Sequence, residues 1–459
     1  MNLRNISIFL AIIISCSLII GAEELQKIKV EKPGEISKRE EFKEQGVKRI
    51  TFANKVVLNL KKTDYEKDKI NFQVNFGRGA LSAPKGKESV VHFAQGMFKN
   101  GGLNKVTDAE LRKSILGKKV TANFSVLDNS FLIQSETTPE DFELNLKLVR
   151  AKLTDSAYPE EAFNKVKLAL TKTYSSLNDD MLEYFKNTAK RKITRNDNAL
   201  SLPEKSVIDG ITLNDIKEWL TNEFNSASIE INVVGDIDEN KTVELIATYL
   251  GNLPERQKIK PLEKIESANY EKFEVKEEFK STLNKDLIFF LIPTVDFREV
   301  EDIRKLNLLG KILNNKISKI TKEKIPNDIK PDIEHYFNEN VKNTCYFRFA
   351  ITSVPENTDL NIKVIDEAIK EISEKGISKE DLDEVRTPYL EILNRFSKTN
   401  AYWLNNVLRN STAEPKNLES VLTFLKTYGE INSQQINEMA KKYLDVNKKS
   451  TFLLKAKSK

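Results

Sequence analysis

Histidine and cysteine are nearly missing from this chain of 459 residues, which holds two of each. The cysteines are Cys16 and Cys345, and Cys16 lies in a segment expected to be removed. No intrachain disulfide is then expected, and stability has to come from a packed core. An excess of one charge is missing as well. The 73 basic and 68 acidic side chains leave a net charge of +5, without the clustered Lys and Arg that phosphate contacts require, so a nucleic-acid partner is not expected. Long polar or Gly/Ser tracts are absent, and 39% hydrophobic with 31% charged residues argues against extended disorder away from the ends. There is no phosphate-binding glycine loop either, and Gly235 in VVGD reads as a tight strand end.

What is present begins with an apolar run over residues 6–20, followed by Gly21-Ala22 and the acidic Glu23-Glu24. This pattern reads as a secretory signal over residues 1–22, short for a spanning helix, so an exported protein, periplasmic or secreted and without an integral membrane segment, is expected. A lipoprotein-like box ending at Cys16 gives the alternative of a lipidated N-terminus. A polar extension occupies residues 23–47. At roughly 100 to 200 residues per domain, the remaining length suggests more than one domain.

Alternation in RITFANKVVLNL (49–60) and KINFQVNFGRG (69–79) predicts strands, followed by helical periodicity at 88–99 and 108–116. Strand-like runs at 120–126 and 131–135 lead into a helix with Pro139 in its first turn. Helices are expected within 159–191, at 213–224 and from about 239 to 250, with a strand over 229–238 between the last two. The second half repeats the order. A strand at 286–295 is followed by a helix at 301–320. A later strand meets Pro355-Glu356 and a helix, just as Gln134 runs to Pro139-Glu140 and a helix in the first half. Final helices are expected at 379–393, 401–408, 418–428 and 433–443, with a closing strand at 450–454. The expected fold is α+β: two tandem related domains, 48–251 and 270–459, joined by a linker at 252–269. Each is a largely antiparallel sheet covered by helices.

The stretch SVVHFAQGMFKNGG (89–102) places His92, Gln95 and Gly96 where an H-x-x-E-H zinc-peptidase helix carries histidine, glutamate and histidine. Glutamine cannot take a proton from water as a carboxylate does, and glycine supplies no ligand. His335 lies in the second module and cannot replace the missing neighbour. The segments INVVGDIDENKTVELIATYLGNLP, TSVPENTDLNIKVIDEAIKEISEKGISKEDLDEVR and KTNAYWLNNVLRN resemble, in order, parts of the pitrilysin/insulinase family of metallopeptidases.

That resemblance implies two related α/β domains forming half of a clamshell, two halves of which enclose a chamber for peptides or unfolded chains. It also implies zinc in active members, held by the two histidines and a distal glutamate. In this chain the distal region, 162–178, has no Asp or Glu and carries Lys165, Lys167 and Lys172, so no cofactor is expected. The family's Arg and Tyr that hold substrate near the zinc align with Lys322 and Ile329. Tyr402 and Trp403, with Asn400 and Arg395, are candidates for peptide contact, although such residues more often pack helix against sheet. Three functions remain open: non-catalytic partner of a catalytic homologue, stand-alone peptide-binding protein or holdase, and zinc peptidase with an atypical site.

Overall fold

The computed structural model describes residues 32–263, 271–294, 300–325, 331–338 and 344–458, with Leu25, Ile28, Val30 and Val341. The signal-like residues 1–22, residues 264–269 of the linker with Tyr270, and Ile329 lie outside the described residues.

In the first half the strands are β1 (Ile36–Phe42), β2 (Val47–Phe52), β3 (Val57–Lys62), β4 (Ile70–Phe76), β5 (Asn123–Val126), β6 (Phe131–Thr137) and β7 (Ile229–Gly235). The main helices are α1 (Val91–Asn100), α2 (Asp108–Ser114), α3 (Phe142–Thr154), α4 (Glu160–Asp179), α5 (Met181–Ile193), α6 (Leu213–Ser226) and α7 (Glu239–Tyr249). The second half adds β8 (Glu274–Ser281), β9 (Asp286–Pro293), β10 (Asp332–Tyr336), β11 (Tyr346–Ser353) and β12 (Ser450–Ser458). Its helices are α8 (Val300–Lys324), α9 (Thr358–Lys375), α10 (Lys379–Phe396), α11 (Lys416–Glu430) and α12 (Ser433–Tyr443).

Local chemistry sets many of these boundaries. Thr107 with Glu110, Thr212 with Asp215 and Asn432 with Gln435 each form a reciprocal cap at the start of α2, α6 and α12, satisfying amide groups that a helix start leaves unpaired. Asp180 caps α5 by accepting from the backbone of Leu182 and Glu183, so the helical stretch after Pro159 is two helices. Pro139 lies in the turn before α3, whose first residue is Phe142, and not in the first turn of the helix. Gly235 ends β7 at φ 145°, where a Cβ would stand 2.2 Å from the carbonyl oxygen of Lys69. Only glycine accepts both the conformation and the contact.

The chain divides into two compact units. Unit 1 takes the described residues of Met1–Leu170, Glu204–Leu262 and Ser397–Leu422, and unit 2 takes Thr171–Pro203 with the described residues of Glu263–Phe396 and Thr423–Lys459. The sheet of unit 1 runs β1-β2-β3-β7-β4-β6-β5 and that of unit 2 runs β10-β11-β9-β12-β8. Written from the other edge, the second order is β8-β12-β9-β11-β10. Replacing each strand by its counterpart in the first half gives β3-β7-β4-β6-β5. The parallel pair falls at the same place in both, β3 with β7 and β8 with β12, and the other pairings are antiparallel. The repeated order of elements is therefore a repeated topology, with the β1–β2 hairpin added to one edge of the first sheet.

One face of each sheet packs on helices. In unit 1, Phe72 meets Phe142 of α3 at 5.5 Å between ring centres, and Phe124 stacks on Phe98 of α1 at 4.6 Å. In unit 2, Ile288, Phe290, Phe347 and Phe349 join residues of α8, α9 and α12. The opposite faces differ. In unit 2 that face is apolar too, and Met181, Phe185 and Ala189 of α5 cover Phe289, Leu291 and Phe452, with Phe185 stacked on Phe452 at 5.0 Å. Burial on both faces is why DLIFFLIP (β9) reads as a continuous apolar run. In unit 1 the corresponding face is polar.

Candidate functional site

The first helix after β4 carries the H-x-x-Q-G pattern. Phe93, Ala94, Met97 and Phe98 of α1 are buried, His92 is half-buried and Gln95 is exposed. Gly96 lies against α4. A Cβ at this position would stand 2.6 Å and 3.0 Å from the two methyl carbons of Val166. One helical turn earlier, Phe93 stacks on Phe163 of α4 at 5.6 Å with the rings 17° apart. The contact between α1 and α4 is thus apolar and closely packed, and the space into which a second histidine would project holds Val166.

The lysines of α4 do not make that contact. Lys165 and Lys172 are exposed. Lys167 reaches the Asp209 carbonyl oxygen at 3.2 Å and lies over the Phe163 ring at 5.8 Å. The face presented to α1 is therefore Phe163 and Val166, and the positive charge noted in the sequence is turned elsewhere. Among the described residues, no three His, Cys, Asp or Glu side chains converge as a metal site.

His335 is on β10 in unit 2. Its Nε2 is 3.1 Å from Thr294 Oγ1 and its Nδ1 is 3.1 Å from Asn307 Oδ1. Burial pushes its pKa down to about 4, so the ring is neutral at physiological pH and serves as a polar strut between β10 and its neighbours.

Lys322 is exposed in the last turn of α8, and Arg395 is exposed near the end of α10. Tyr402 and Trp403 are instead buried in unit 1, at 5% and 8% exposure. They belong to the segment Ser397–Leu422, which includes the π-helical turn Trp403–Leu408. Trp403 donates its indole N–H to the Ser397 carbonyl oxygen at 3.1 Å, and the Lys61 ammonium lies 3.7 Å from its ring centre. Both rings therefore present little surface.

This segment covers the polar face of the first sheet. Alternate residues of adjacent strands, Asn59 and Lys61, Gln73 and Asn75, Glu230 and Asn232, are buried there. Arg49 donates to Asn59 Oδ1 at 2.7 Å and to Ser411 Oγ at 3.0 Å, and Asn59 donates to Asn232 Oδ1 at 2.8 Å. Gln73 donates to the Leu404 carbonyl oxygen at 2.9 Å, and Thr63 to Asn400 Oδ1 at 2.6 Å. Glu230 receives the backbone N–H groups of Asn410 and Thr412, both at 2.8 Å. Lys61 donates to the Gln45 carbonyl oxygen at 2.6 Å, and burial lowers its pKa to about 8. The sequence signal for this network was the run of polar residues at every second place in β3, β4 and β7, which marks a non-core face but not what covers it.

The profile described as "Peptidase M16 inactive domain" matches residues 210–389. The probable zinc protease PqqL of Escherichia coli (strain K12) is 23% identical over 220 residues, covering 48% of this chain and 23% of that protein. The chain is a homologue of the M16 peptidases, the pitrilysin/insulinase family. The crystal structure of the periplasmic protease PqqL from Escherichia coli superposes with a TM-score of 0.77 at 17% identity, covering 94% of this M16 homologue and 48% of the PqqL chain. A peptidase M16 inactive domain from Pseudomonas fluorescens superposes at 0.74 and 15% identity, covering 90% and 99%. These likenesses show the fold, mixed α+β with antiparallel-rich sheets. The M16 homologue spans about a quarter of the curated PqqL and about half of the PqqL crystal chain.

The family's zinc does not fit the residues of this M16 homologue. At the motif positions it offers one half-buried histidine, an exposed glutamine and a glycine packed against valine. A catalytic zinc needs three protein ligands and an open position for water, and the α4 residues that meet α1, Phe163 and Val166, cannot ligate a metal.

Proposed function

We propose that this M16 homologue is an exported, non-catalytic half that pairs with a catalytic homologue and helps it handle peptides or unfolded chains. The observation that carries the reading is the contact of Gly96 with Val166. It replaces the second histidine with an apolar interface, so loss of the site is built into helix packing and is not a matter of one missing side chain. Supporting it, the match to an inactive M16 domain and the coverage of about half of the PqqL crystal chain suit a chain that acts as one half of a larger assembly. Among the described residues, no helix is long and apolar enough to cross a membrane, which is compatible with export.

The test is co-expression with a homologue from the same genome that carries a complete H-x-x-E-H. A one-to-one complex surviving gel filtration, with peptidase activity above that of the homologue alone, is expected. Specific interfaces of this kind bury more than about 1,000 Å² in total, enough for the complex to persist on dilution. A chain that ignores every such homologue but suppresses aggregation of unfolded clients is a holdase, and the partner reading then fails.

A further inference from the structure

A cleft opens in unit 1 where β4 and β7 lie side by side. Asn75, Ser130 and Glu230 line it, with Asn410 and Lys260. Asn75 and Glu230 are direct cross-strand partners, so their side chains leave the sheet on the same face and close together.

Three acceptors at this cleft are buried, and two of them have no protein partner. Asn75, 7% exposed, donates its amide N–H to Asn410 Oδ1, while its own Oδ1 accepts nothing from the protein. The Ser130 hydroxyl, on a residue 3% exposed, likewise has no protein partner. The Glu230 carboxylate, on a residue 3% exposed, takes N–H donors from Asn232, Asn410 and Thr412 and feels the buried Arg49 guanidinium electrostatically, without a close ion pair among the described residues. Leaving the Asn75 and Ser130 oxygens without partners costs free energy in a folded protein.

We propose that this cleft binds a primary ammonium group, either the α-amino group of a peptide or a lysine side chain. An ammonium carries three N–H donors and one positive charge. Asn75 Oδ1, Ser130 Oγ and a Glu230 oxygen supply three acceptors and one negative charge. The proposal rests on these side chains alone and stands independently of the partner reading.

The test is ligand-observed NMR on the full chain with glycinamide, N-acetyl-lysinamide and the ammonium-free control N-acetylglycinamide. Saturable binding of at least one of the first two, without binding of the control, is expected, and the tighter of the two identifies the source of the ammonium. Ser130→Ala and Glu230→Gln should each weaken binding by about tenfold or more. Because Glu230 also holds the backbone of Asn410 and Thr412, Ser130→Ala decides the matter if Glu230→Gln does not fold. Lys260→Ala should leave binding equal or tighter, since it removes a like charge. Absence of saturation, equal binding of the control, an unaffected Ser130→Ala protein, or weaker binding by Lys260→Ala each overturns the proposal.

Discussion

Gly96 on α1 and Val166 on α4 pack so closely that the glycine has no room for a Cβ, which would stand 2.6 Å from a valine methyl carbon. Gly96→His should therefore destabilise unit 1 by about 1 to 3 kcal/mol, the usual range for overpacking a filled interface. Trimming the neighbour, as Gly96→His with Val166→Ala, should recover part of that loss. Denaturant unfolding of the two variants reads the difference. Equal stability of Gly96→His and the wild type would show that the helices separate easily and that the contact excludes nothing. Gln95→Glu with Gly96→His should still show no peptidase activity, because no third ligand is in place.

Trp403 is a second packing position with a measurable consequence. Its ring lies under the Lys61 ammonium at 3.7 Å, and its N–H is satisfied by Ser397. Trp403→Ala should cost about 3 to 5 kcal/mol of stability, as for other buried aromatic truncations, and Trp403→Phe distinctly less. A Trp403→Ala protein of unchanged stability would return this ring to the list of peptide contacts.

Two buried lysines give stability an alkaline dependence. Lys61 and Lys152 both have pKa values lowered by burial to about 8, and Lys152 donates to the carbonyl oxygens of Phe98 and Gly102. Their ordinary value is 10.5, so above pH 8 the folded state releases protons that the unfolded chain still holds. Stability should then rise with pH from about 8 to 10. Beyond that, tyrosines such as Tyr158, whose pKa is raised to about 12 by burial, act in the opposite sense. Denaturant titrations at several pH values should show the rise reduced in Lys61→Met and removed when Lys152→Met is added.

His335 works in the acid range. Its pKa is lowered to about 4, so between about pH 6.5 and 4 the unfolded chain binds a proton that the folded chain refuses. The stability this position contributes is complete above pH 6.5 and is lost as pH falls toward 4. The difference in stability between wild type and His335→Gln should shift with pH only across that interval. A difference that stays constant from pH 7 to pH 4 would mean that the ring titrates normally.

Much of the architecture was legible because periodicity reports a buried face. FQVNF in β4 sets Phe72, Val74 and Phe76 toward the helices, and the Pro139 and Pro355 segments mark equivalent strand-to-helix turns in the two sheets. The polar strands were not legible. β1 (ISKREEF) and β8 (EVKEEFKS) lie at sheet edges, where one side is unpaired and charged side chains carry little penalty. β10, with His335, is an edge strand as well. Nor did the sequence show that TNAYWLNNVLRN packs over Asn59, Gln73 and Glu230, since tertiary pairing between polar residues more than 150 positions apart leaves no local periodicity. At the first helix, the residues identified the loss of the motif. The valine that fills its place became visible only with α4 packed against α1.

The claim that the first-helix site is closed to zinc is tested most directly by the metal content of the purified full chain after mild dialysis. The packing of Gly96 against Val166 predicts well under one equivalent of zinc per chain, unchanged by His92→Ala. One tightly held equivalent that disappears on His92→Ala would contradict it.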